Sequence, residues 1–136
     1  MSNSDTSSIL PLSPGAYLRL RRRASGLTRL QLAQRIYCYP HLSEHARASW
    51  IELVERDIMP ATWSTIAAIS AHISIDLDLL QALDAAHLGS GVDLPKHCSG
   101  CGITPRQVIP PHIAWQQEDR CPICVTFPAN AVNQAA

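Results

Sequence analysis

Ser25-Gly26-Leu27-Thr28-Arg29-Leu30-Gln31-Leu32-Ala33 ends one helix and begins the next, and the fold follows from how this stretch is read. Gly26 stands at the C′ position, where a helix commonly closes in a left-handed conformation. Thr28 with Gln31 forms a capping box: the threonine oxygen accepts from the Gln31 amide, and the glutamine side chain returns to the amide of the cap. Leu27 and Leu32 stand where a hydrophobic staple would close around that cap. The helix so opened is expected from Arg29 to about Tyr37, with Leu30, Ala33 and Ile36 inward. Upstream, Ser13-Pro14-Gly15 supplies an N-cap and a proline at the first helical position, which predicts a helix through Ser25.

Downstream, Pro40 breaks the pattern for itself and for Tyr39. Ser43 caps a third helix over Glu44 to Arg56, with Ala48, Ile51 and Val54 inward, and Asp57 to Pro60 reads as a turn. A fourth helix is expected over about Thr62 to His72, with a stripe of Trp63, Ile66, Ala67, Ile69 and Ile73. A fifth spans about Asp76 to Ala86, with Leu77, Leu80 and Leu83 inward. The predicted class is mainly α. Residues 1–12 read as a loose arm, 13–87 as the helical domain, 88–95 as a linker, 96–127 as a metal-stapled module and 128–136 as a tail.

That module rests on Cys98-Ser-Gly-Cys101 and Cys121-Pro-Ile-Cys124, two CxxC pairs with 19 residues between them. The spacing lets four thiolates, Cys98, Cys101, Cys121 and Cys124, collect one tetrahedral Zn²⁺. Gly102 follows the first pair, where such a turn often requires a positive φ. The surrounding segment has few large apolar residues, and a module that small usually needs a staple. Two disulfides or a redox pair are the competing reading. Cys38 stands apart and is expected to be a small buried apolar residue.

The 136 residues carry 11 basic and 11 acidic side chains, and the resulting zero net charge hides a segregation. Between Pro14 and Trp50 lie Arg19, Arg21, Arg22, Arg23, Arg29, Arg35 and Arg47 against the single acid Glu44. Between Ile51 and Leu94 the acids Glu52, Glu55, Asp57, Asp76, Asp78, Asp84 and Asp93 face Arg56 alone. A segregated basic block is what a phosphate-binding face requires, although a solvated helix face shows the same charge. No apolar run is long enough to span a membrane, and the first residues lack the pattern of a signal peptide. With cysteines in metal spacing, a cytoplasmic location is expected.

Leu18-Arg19-x-x-Arg22-x-x-x-Gly26-Leu27-Thr28, followed by Leu32-Ala33, Ile51-x-x-Val54-Glu55-Arg56, Pro60, the Ile66, Ile69, Ile73 stripe and Leu79-Leu80, resembles the Xre/lambda-repressor-like helix-turn-helix family over residues 14–83. The resemblance implies a five-helix DNA-binding domain whose third helix enters the major groove of double-stranded DNA, commonly as a homodimer. Ala33 and Glu55 stand 22 positions apart, where the family spaces them by about 14, so about eight extra residues lie between helices two and three. On this reading Arg21 and Arg23 fit phosphate contacts, and Arg29 sits at a helix start where a phosphate would dock. Arg47, Ser49 and Trp50 come near the base edges, with Arg47 suited to guanine and Trp50 to a thymine methyl or to the core. His45 lies in the inserted stretch 37–46, expected to contact or flank DNA. Arg22 is expected either at phosphate or in an ion pair with Glu55 or another acid.

The expected function is a sequence-specific DNA-binding regulator with a C-terminal structural zinc ribbon. The alternatives are an adaptor that docks a protein partner through the ribbon, and an antitoxin-like protein. An enzyme is not expected, because no catalytic set of residues stands out and four cysteines leave zinc no open position for water.

Overall fold

Polar caps set the helix starts. The computed structural model describes residues 12–36, 40–107, 115 and 119–126. Its helices are α1 (Pro14–Ala24), α2 (Arg29–Arg35), α3 (Glu44–Glu55), α4 (Trp63–Ser70), α5 (Leu77–His87) and α6 (Pro122–Thr126), and the described residues contain no strand. The chain is mainly α. Ser13, Thr28, Ser43, Thr62 and Asp76 cap α1 to α5 in order, each side chain accepting a backbone amide of the first turn. At Thr28 the capping box is complete, with the Gln31 side chain returning to the Thr28 amide.

Helix ends depart from expectation where the core intervenes. α2 stops at Arg35, because Ile36 turns extended (φ −99°, ψ 144°) and buries its side chain. On α5 the buried leucines are Leu79, Leu80 and Leu83, while Leu77 stands 40% exposed. Leu77 is the first residue after the cap, and Leu79 takes the inward place expected for it.

The core has two lobes. One gathers Leu27, Leu32, Ala33, Ile36, Ile51, Ile69 and Ile73 between α2, α3 and α4. The other gathers Tyr17, Leu18, Val54, Leu79, Leu80 and Leu83 between α1, α3 and α5. Trp50 and Ile75 pack against both lobes and join them. Behind α3, the fully buried Arg22 of α1 holds Glu55 by two bonds, Nε to Oε2 at 2.6 Å and Nη2 to Oε1 at 3.1 Å. A planar guanidinium meets a carboxylate in this forked way with both charge and geometry satisfied.

Residues 88–97 carry no regular structure, yet Leu94 packs against the second lobe. The cysteine module beyond them lies directly on the helical body. Gly102 rests on the Tyr17 ring, the Cys101 carbonyl accepts from Arg21, and Thr104 and Arg106 both reach Asp76. Separate cores joined by residues 88–95 were expected from the sequence; these contacts bridge the two.

Candidate metal centre and candidate nucleic-acid face

Cys98, Cys101, Cys121 and Cys124 come together from both ends of the module. Cys98 and Cys101 flank a tight turn in which the Gly100 amide donates to Cys98 Sγ at 3.3 Å and the Gly102 amide to the Cys98 carbonyl. Gly102 has φ 79°, the left-handed conformation expected after the pair. Cys121 directly precedes α6 and Cys124 lies within it, one turn on. The Ser99 amide donates to the Asp119 carbonyl at 2.7 Å and ties the two halves together.

All four thiols are buried, free of disulfides, and within 4.8 Å of one another. They are positioned to hold a metal ion. The Cys101 and Cys121 sulfurs are 3.8 Å apart. Four sulfurs at about 2.3 Å from a central ion stand about 3.8 Å apart along each tetrahedral edge, so the set fits such an ion. The electrostatics agree. A hydrogen bond from the Cys101 thiol brings Cys98 down to about 4. That same bond and burial push Cys101 up, while burial and then Cys98 push Cys124 up to about 12. Packed this closely, the thiols set their ionisations against one another, a conflict that a dication among the sulfurs would relieve.

The basic block is largely turned inward. Arg21 is 5% exposed and donates to the Ser74 and Cys101 carbonyls, at 2.9 and 2.8 Å, so the phosphate contact expected of it is corrected. Arg29 donates from Nε to Glu55 Oε1 at 2.9 Å, with Glu52 4.0 Å from Nη1. Glu55, shared with Arg22, and Glu52, shared with Arg56, thus hold Arg29 where a phosphate contact was expected. Arg47 donates to the Ala33 carbonyl at 3.0 Å and the Leu42 carbonyl at 2.8 Å. It satisfies one of the carbonyls left over at the end of α2, and the fork expected at guanine is engaged inside the fold. Trp50 is half-buried and packs against both lobes, the core alternative of the two expected for it.

Other expected contacts face outward. His45 and Ser49 are exposed and lie one turn apart on α3, hence on the same face. Arg23 is half-buried, and burial first, then repulsion from Arg19, Arg22 and Arg29, lowers its pKa from the ordinary 12.5. Arg19 and Arg35, members of the basic block to which no individual contact was assigned, are both exposed; Arg35 follows Gln34, which bonds Glu44 at the start of α3. Of the inserted stretch, Tyr37, Cys38 and Tyr39 lie outside the described residues, and His41 is exposed.

Comparison of the chain with protein-family models, curated proteins and solved structures returns no match. No helix among the described residues is long and apolar enough to cross a membrane.

Proposed function

We propose that the protein is a DNA-binding regulator of the lambda-repressor-like kind, carrying a structural zinc site. The observation that carries this reading is the α2–α3 pair: α3 is braced from behind by the buried Arg22–Glu55 bridge and presents His45 and Ser49 outward. A braced helix with polar side chains outward is suited to a major groove. Arg23, Arg19 and Arg35 supply the positive field for the phosphate backbone. Zinc is the proposed ion because a borderline-soft dication favours four thiolates in tetrahedral array, and a filled tetrahedron serves folding rather than catalysis. A mobility-shift assay with genomic fragments at two salt concentrations tests the reading. Affinity that falls steeply with salt in the wild type, and that is weaker at low salt with a flatter salt slope in Arg23→Ala/Arg35→Ala, supports it; absent or salt-insensitive binding rejects it.

A second reading, a protein-docking adaptor, draws on a different observation. Trp63 is 63% exposed beside Leu77, and with Pro14, Ile66 and Leu80 they line a groove of about 290 Å³. The adaptor reading predicts that Arg23→Ala/Arg35→Ala keeps its activity and Trp63→Ala loses it.

A further inference from the structure

We infer that metal binding by the four cysteines and folding of the helical body are one coupled equilibrium, tied together by Thr104 and Arg106 as positioning residues. The inference rests on the metal reading above and not on the DNA reading.

Three side chains of the helical body are completed by the cysteine module. Arg21, at 5% exposure, places Nε on the Ser74 carbonyl and Nη1 on the Cys101 carbonyl. A buried guanidinium is costly unless its donors are matched, and the second acceptor is the backbone of a metal ligand. It stands in place only when the first cysteine turn is closed. Asp76, at 7% exposure, accepts the Asp78 and Leu79 amides of its own helix. From the module it accepts the Thr104 hydroxyl at 2.7 Å and Arg106 Nη2 at 2.6 Å. Tyr17, at 0% exposure, accepts the Asp76 amide at its hydroxyl oxygen and presents its ring to Gly102, where an added Cβ would come within 3.1 Å of the ring.

An open module therefore uncovers the Tyr17 ring, strips Arg21 of one acceptor and leaves Asp76 without Thr104 and Arg106. An ion that closes the cysteine turns favours the folded body, as does any ligand that binds the native state alone. Linkage makes the effect reciprocal, so the body's side of these contacts sets metal affinity.

The test uses the full chain, with Zn²⁺ as the probe and a chelator as the reference. Helical circular dichroism is followed on heating, and zinc affinity is read by competition. Zinc is expected to raise the Tm of the helices by at least about 5 °C in the wild type. In Thr104→Val/Arg106→Ala that rise shrinks to about half or less, the chelated Tm stays unchanged, and zinc affinity falls about tenfold. One zinc bound per chain without a rise in wild-type Tm overturns the coupling and leaves the metal site standing. No zinc uptake overturns both. A full rise in the double variant removes Thr104 and Arg106 as the positioning residues.

Discussion

Arg22 and Arg29 both meet Glu55, but at 0% and 25% side-chain exposure. Removing Arg22 leaves a buried carboxylate short of its main partner, so Arg22→Met is expected to cost about 3–5 kcal/mol by denaturant unfolding. Arg29→Ala, at a position closer to solvent, is expected to cost within about 1 kcal/mol. Asp76 supplies a pH prediction. Burial pushes its carboxyl upward, but hydrogen bonds from Thr104, Arg106 and the Leu79 amide outweigh it and hold the pKa below the ordinary 3.8. A depressed carboxyl contributes its stability above its unfolded value and loses it as pH falls through the folded one. The Tm gap between wild type and Asp76→Asn should therefore be widest near neutral pH and narrow in acid. At this scale the sequence was legible where a partner has a patterned place, as with the Arg22–Glu55 alternative. It was not legible for Arg21, whose acceptors are backbone carbonyls 53 and 80 residues away. Nothing in a run of arginines says which of them will find a carbonyl that distant.

Elements were most readable at their starts, because a cap acts within a few residues of itself. Thr28→Ala removes one half of the capping box and should cost about 1 kcal/mol, measured as a shift in denaturant midpoint. Ends were less readable. Ile36 leaves α2 because burial in the first lobe outweighs one more helical turn, and Leu77 yields to Leu79 for a similar reason. Both outcomes depend on packing between elements, which periodicity within one element does not contain. Gly102 joins local and distant demands: φ 79° disfavours any side chain, and a Cβ would press on Tyr17 and on Arg21 Cδ at 3.2 Å. Gly102→Ala is accordingly expected to lower both zinc affinity and the Tm of the helices, checked by competition titration and circular dichroism.

For the whole molecule, the meeting of the four cysteines was legible, since two CxxC pairs state their own geometry and the four sulfurs come together as that spacing requires. The docking of the module on α1 and the start of α5 was not, because residues 88–95 have the composition of a spacer. If the proposed DNA face is right, each phosphate neutralised steepens the fall of log K with log salt by about 0.9. Arg23→Ala and Arg35→Ala should each flatten that slope by about that amount, whereas Arg21→Ala should lower stability instead.

The join between Arg21 and Cys101 also has a meaning in time. Residues separated by 80 positions emerge from a ribosome roughly 4 to 16 s apart, at about 5 to 20 residues per second. For that interval Arg21 is without the Cys101 carbonyl, and Cys121 and Cys124 emerge later still. Under the coupling proposed above, the nascent helical body would wait for its own distal end, with the supply of metal setting how long the wait lasts.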